Sequence, residues 1–233
     1  SAAQGGGQFA NAAAIYRRCL AICRRSSDQL GIARATNGLG NALAELGSYE
    51  EARAAYAESL AIYRKMQDRY SIALVLCNIG TIDSVLDAQD EARASYEESY
   101  KICAEIGDQA GMGMALMNTA VTHEREHNLE QARDLYQQSI KILRRANYRI
   151  VLPLPLTNLG IVFARLGDTA AGRVLLHESL QISQEHNLTP SLLRSLLGVA
   201  TLLQLEGNLE QPWALAHLVA KHPQSNQETV EQA

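Results

Sequence analysis

The sequence predicts an all-α protein, an α-solenoid of stacked antiparallel helix pairs, and three observations carry that prediction. Conspicuous residues return every forty positions: Gly40, Gly80, Ala120, Gly160 and Ala200; Tyr56, Tyr96 and Tyr136; Ser59, Ser99, Ser139 and Ser179. Alanine and leucine dominate, hydrophobic residues make up 47% and aromatics 5%, and β-branched runs are scarce, a composition that reads as helical. Helix stop and start signals recur at the same interval. The stop column is Gly47, Asp87, His127, Gly167 and Gly207, and the cap column beside it is Ser48, Ala88, Asn128, Asp168 and Asn208. A fixed period of this length means stacked supersecondary units, each unable to bury its apolar face alone.

The elements follow in order. Residues 1–6, Ser-Ala-Ala-Gln-Gly-Gly, are expected to be an unstructured start. Residues 7–28 align with second-helix positions, Phe9 with Tyr49, Ala12 with Ala52 and Tyr16 with Tyr56, so they form a half repeat. Full repeats are expected at 29–68, 69–108, 109–148 and 149–188, and a fifth at 189–222. In the first of these, the leading helix runs from about Ile32 to Leu46 with Ile32, Leu39, Leu43 and Leu46 apolar. Gly47 ends it in the left-handed conformation that a helix C-terminus favours. Ser48 and Glu51 then form a capping box, and Ala52, Tyr56, Leu60 and Tyr63 make the buried stripe of the second helix. That helix is expected to fray near Gln67-Asp68. Glu51, Glu91, Gln131, Ala171 and Gln211 fill the third helical position of the successive second helices. Residues 223–233 read as a further helix or capping tail: Pro223 breaks the chain, and Ser225 with Glu228 makes another capping box. Both ends look cut, which predicts an array continuous with other domains of a longer polypeptide.

Charge and cysteine usage narrow the function classes. Net charge is −4, the isoelectric point is near 5.9, and no Lys/Arg run exceeds two residues, which argues against a nucleic-acid footprint. No apolar stretch approaches the roughly 18 residues that span a bilayer, and no secretory signal is visible. A cytoplasmic location is expected. Cys19 and Cys23 lie one helical turn apart, and Cys77 and Cys103 sit alone in their columns. With no CxxC pair, all four read as small buried hydrophobes rather than as a disulfide frame or metal site.

Leu39-Gly40 with Leu43, Ala52 and Tyr56, then Ile79-Gly80 with Ala92 and Tyr96, then Leu159-Gly160 with Phe163, resemble the tetratricopeptide pattern. In that pattern Leu-Gly-x2-Tyr precedes Ala-x3-Phe. The period departs from the family's usual 34, and the extra residues are expected to lengthen the helix ends around Arg64–Tyr70, Glu105–Ala110 and Arg145–Ile150. The resemblance covers nearly the whole chain. It implies helix pairs in a right-handed superhelix whose groove is lined by the first helices, and it implies a binding role without naming a partner. The closing stretch 215–223 is also similar to the end of the repeat region in bacterial STAND-type regulatory ATPases, where forty-residue tetratricopeptide units follow a nucleotide-binding switch.

The resemblance places the residue two before the glycine column on the groove: Gly38, Asn78, Asn118, Asn158 and Gly198. Asparagine is a poor mid-helix residue, but its carboxamide offers one acceptor and two donors to the peptide unit of an extended chain. The alternative is that these amides bond neighbouring helices and stabilise stacking. Flanking columns bring Arg34, Leu74, Met114 and Arg194; Asn37 and Met117; and Asn41 and Val121 to the candidate groove. That mixture suits a peptide with an apolar centre and acidic ends, unless Met and Leu here are core.

His123-Glu-Arg-Glu-His127 is a formal HExxH string, the zinc-peptidase arrangement of two histidines on one helix face. Its columns oppose that reading, because His123 shares its position with Leu43, Phe163 and Leu203, and His127 falls in the helix-stop column. A non-catalytic array that binds a protein or peptide is therefore expected, with no metal, cofactor, nucleic acid or membrane. Sensing of a small molecule between Met114, Met117 and Val121, or passive spacing of other domains, are the alternatives.

Overall fold

The backbone reverses every twenty residues, and each reversal has the same geometry. Positive φ angles fall at Ser27, Gly47, Gln67, Asp87, Gly107, His127, Asn147, Gly167, Asn187 and Gly207. In each such turn two amides reach back into the ending helix. Gly47 N–H donates to Ala44 O at 3.0 Å and Ser48 N–H to Leu43 O at 2.9 Å; the pairs Gln67–Arg64 and Asp68–Tyr63 repeat this at 3.2 and 3.1 Å. The doubled bond satisfies carbonyls that a helix end would otherwise leave open.

The computed structural model describes residues 2–208 and 211–222. Between the turns lie α1 (Ala2–Arg25), α2 (Gln29–Glu45), α3 (Tyr49–Met66), α4 (Arg69–Val85), α5 (Gln89–Ile106) and α6 (Gln109–Arg125). There follow α7 (Leu129–Arg145), α8 (Pro153–Arg165), α9 (Thr169–Glu185), α10 (Thr189–Leu205) and α11 (Gln211–Ala220). Among the described residues there is no strand. The chain divides into two units, Ser1–Thr122 and His123–Ala233, with the boundary inside α6. Consecutive helices pack against one another from α1 to α5 and from α7 to α11, so the all-α architecture of stacked helix pairs is as the sequence predicts.

Three expectations need correction. Residues 2–6 are helical, continuing α1 to Ala2; the glycines lower helix propensity but do not stop the helix. Gln67-Asp68 is not a frayed end: the Asp68 carboxylate accepts from Ser71 N–H at 3.1 Å and caps α4. Asp28 caps α2 through Gly31 N–H at 2.9 Å, and Asp108 accepts from Gly111 N–H at 3.0 Å. Conversely, Ser48 makes no side-chain cap bond, nor do Ala88 and Asn128. Asp168 of that column does cap, with Ala171 N–H at 2.9 Å. The tight turn holds ψ near 62–71° at these positions, and of the four side chains only the Asp168 carboxylate bridges the gap. The capping box at Ser225 and Glu228, and the Trp213 side chain, lie outside the described residues.

Unit 1 holds a continuous core of Leu39, Leu43, Tyr56, Leu60, Tyr63, Ile72, Val75, Leu76, Ile79 and Ile102. Each such side chain contributes about 1.5–3 kcal/mol on burial. Repeated residues account for the close fit. A Cβ on Gly40 would lie 2.6 Å from the Tyr56 ring, and one on Gly80 would lie 2.7 Å from the Tyr96 ring, so the glycine column makes room for the tyrosine column. The serine column is a staple within each pair. Ser59 and Ser99 hydroxyls donate to Ala33 O and Ala73 O, both at 2.8 Å.

Unit 2 follows the same plan with substitutions. Leu176 stands where a tyrosine is expected, Gly160 and Gly172 approach backbone to backbone, and Ser179 donates to Pro153 O at 2.7 Å. Pro153 and Pro155 sit in the first turn of α8, where a missing N–H costs nothing. A 3-10 turn at Arg149–Val151 leads into it.

Candidate functional site

One stripe of each first helix is left uncovered, and in unit 1 it carries most of the expected groove residues. On α4 the stripe is Tyr70, Leu74, Asn78, Thr81 and Val85; Leu74 is 45% exposed and Asn78 half-buried. On α2 it is Arg34, Asn37, Asn41 and Glu45, all exposed except Asn37, which is half-buried. On α6 Met114 is 43% exposed, and Asn118 and Val121 are half-buried. Met117 does not belong with them. It is buried at 7% exposure, because one residue of rotation before Asn118 turns a side chain by roughly 100° towards the core.

The amides of unit 1 are loosely held. Asn78 Nδ2 donates to Asn37 Oδ1 at 3.4 Å and to Asn41 Oδ1 at 3.5 Å, both long for hydrogen bonds. Tyr56 O–H donates to Asn41 Oδ1 at 2.7 Å, a firm anchor. Gly38 takes the amide position on α2 because the Tyr16 ring fills the space; a Cβ there would lie 2.4 Å from Tyr16 Cε1.

Unit 2 presents different chemistry. Asn158 Nδ2 donates to Tyr136 Oη at 3.3 Å, Tyr136 O–H donates to Glu124 Oε2 at 3.0 Å, and Arg165 Nη1 donates to Glu124 Oε1 at 2.8 Å. Burial, and then the adjacent Glu124 carboxylate, push the Tyr136 phenol far above its ordinary range, with half-buried Arg194 opposing. Asn158 is thus engaged in a stacking bond, as the alternative reading of that column has it.

A cavity of about 510 Å³ opens in unit 1. The rings of Phe9, Tyr16 and Tyr56 line it together with Asn41, Asn78 and Glu45. A second, of about 400 Å³ in unit 2, lies beside Arg144, Arg149 and Glu178. There the arginines are already engaged, Arg144 with Glu178 at 2.6 Å and Arg149 with Glu185 at 3.2 Å.

Sequence reasoning passed over two acidic residues. Asp83, only 2% exposed, stands in the column of Leu43 and Phe163 and pairs with Arg53, raising the guanidinium's pKa further. Arg53 therefore serves this buried carboxylate, while Glu58 pairs with Arg24 and Glu98 with Arg64, each at 2.7 Å. Glu45 also went unremarked; its exposure gives no sequence signal, but it borders the cavity.

The HExxH residues do not share a helix face. The helix ends at Arg125, and His127 lies beyond it at φ 61° in a left-handed turn. Among the described residues no cluster of three His, Cys, Asp or Glu could hold a metal ion. No described helix is long and apolar enough to cross a membrane.

The tetratricopeptide repeat family profile matches residues 1–65 and 71–145, more than half of the sequence. The chain belongs to the tetratricopeptide repeat family. A profile for anaphase-promoting complex subunit 5 matches residues 125–205. A search of curated proteins finds no match.

Among solved structures, the repeat protein is similar to BtubC (BKLC) from P. vanneervenii. They share 18% identity at a TM-score of 0.71, over 91% of this chain and 89% of that one. It is also similar to a Rap protein complexed with competence and sporulation factor, at 12% identity and TM-score 0.75, over 97% and 66% of the two chains. NprR in complex with its cognate peptide NprX matches at 13% identity and TM-score 0.70, over 88% and 59%. The chain thus spans 59–66% of the NprR and Rap chains. At these identities the likeness shows the fold.

Proposed function

We propose that this tetratricopeptide array is a non-catalytic module that binds an extended peptide segment along the first-helix face of unit 1. The observation that carries the reading is the composition of that face. Asn78 and Asn118 stand half-buried in register on α4 and α6, with Asn37 and Asn41 half-buried and exposed on α2, beside the exposed apolar side chains of Leu74 and Met114. A carboxamide held only by bonds of 3.4–3.5 Å loses little when it turns to a peptide unit, and each new bond contributes about 0.5–1.5 kcal/mol. Leu74 and Met114 supply apolar area at adaptable side chains. The cognate peptide of the NprR structure and the factor bound in the Rap structure support the same use of this fold. The module would serve as the sensor or partner-binding region of a larger bacterial signalling protein, located in the cytoplasm.

Affinity capture from a host lysate tests the reading, with wild type beside Asn78→Ala/Asn118→Ala of unchanged helicity. Asn158 is left intact because its amide bonds Tyr136. A protein retained by wild type and at least about tenfold depleted on the variant, roughly 1.4 kcal/mol, is the expected result. Equal retention would move the binding face elsewhere. Retention by neither would favour the small-ligand alternative.

A further inference from the structure

The cavity of unit 1 has a composition that selects a ligand chemistry. Three aromatic rings wall it: Phe9 and Tyr16 from α1 and Tyr56 from α3. Tyr16 is fixed over the backbone of Gly38, and Tyr56 is fixed by its bond to Asn41. The one formal charge among the lining residues is the carboxylate of Glu45, on the last turn of α2.

Most glutamates among the described residues are neutralised by a basic residue, as Glu51 is by Arg17, Glu58 by Arg24, Glu98 by Arg64 and Glu178 by Arg144. Among the described residues no cation pairs with Glu45. Arg34, the other charge on the uncovered face of α2, lies eleven residues away, about 16 Å along the helix. Arg53 is committed to Asp83.

We propose that this cavity is a subsite for a cationic side chain, the arginine or lysine of the peptide that binds along unit 1. The inference rests on the peptide-binding reading and adds to it the identity of one side chain. The half-buried Phe9 ring and the exposed Tyr16 ring favour a cation because each presents a negative face, and Glu45 supplies the counter-charge at the rim. The amide oxygen of Asn78 is an acceptor for the remaining N–H groups. An apolar side chain would shield an unpaired carboxylate from water without replacing its solvation, and an acidic one would face it directly. At about 510 Å³ the space lies within the ordinary range for a small-ligand pocket, about 300–1,000 Å³.

Three acetylated, amidated pentapeptides test the assignment: four alanines around a central arginine, norleucine or glutamate. N-acetylarginine methylamide is the free-cation control. Binding is followed by the ring signals of Tyr16 and Tyr56 in the tyrosine-labelled protein. The arginine peptide is expected to shift both, with at least about tenfold tighter affinity than the norleucine peptide. Glu45→Gln, which removes only the charge of an exposed residue, is expected to erase that preference while helicity is kept.

Equal or tighter binding of the norleucine or glutamate peptide overturns the proposal. So does a preference unchanged in Glu45→Gln, or the absence of any shift with every probe at about 10 mM, ten times the weakest affinity expected of such a contact. If the control binds as tightly as the arginine peptide and Glu45→Gln weakens both, the cation subsite stands and the peptide track fails.

Discussion

Cys103 is 2% exposed against the core, and Cys77 lies 3.2 Å from Ser99 Oγ, whose hydroxyl also favours the Cys103 thiolate. Burial, and then Asp108, push the Cys103 thiol up to about 11, and burial also raises Cys77. Cys19, by contrast, is exposed. At pH 8 the Cys103 thiolate is about one part in a thousand of the total. Iodoacetamide is therefore expected to modify Cys19 first and to leave Cys77 and Cys103 unmodified until the protein unfolds, as peptide mass mapping will read. The stability effect has a definite sign. A pKa raised in the folded state contributes stability that is full below the unfolded value and is lost as pH rises through the folded value. Tyr56, pushed by burial and then by Glu45 up to about 12, acts in the same direction. The melting temperature should fall between about pH 9 and 12, and a Tm that holds or rises across that window would contradict these burials.

At the scale of the helix, the forty-residue unit is two twenty-residue halves with one turn geometry. Legibility differed between the halves for a chemical reason. The turn after a first helix carries Gly47, Gly167 and Gly207, which announce a left-handed residue. The turn after a second helix carries glycine only at Gly107; Ser27, Gln67, Asn147 and Asn187 adopt φ of 55–59° there without one. The signal that could have found it was the aspartate column one step further on, Asp28, Asp68 and Asp108. The glycine column was legible as a period, but its purpose needed the tyrosine rings beside it. Gly80→Ala would bring a Cβ within 2.7 Å of the buried Tyr96 ring, and overpacking of this kind costs about 1–3 kcal/mol. Gly6→Ala, which meets nothing within 4 Å, should be neutral or stabilising. A thermal melt in which both variants match wild type would show that the rings do not hold the helices at this spacing.

Over the whole chain, the period revealed the helix pairs and the family resemblance placed most of the uncovered stripe, because stacking buries the same register in each repeat. Met117 was misplaced by one residue, since a column shared with Asn37 and Cys77 does not reveal which side of the stripe edge it falls on. Asp83 was hidden because a lone acid in an apolar column has no periodic partner; Arg53, part of a regular arginine column, gave no hint of the pairing. The cavity beside Glu45 arises from side chains on four helices, which no single-helix pattern reports. What unites these features is an array whose distinctive chemistry lies on the first-helix face of unit 1. The measurement that tests this most directly is a ¹⁵N spectrum of the asparagine side-chain amides, titrated with the arginine-centred pentapeptide. The Asn41 and Asn78 amides are expected to shift together with the Tyr16 and Tyr56 rings. Shifts confined to the second helices, with those amides unmoved, would contradict the account.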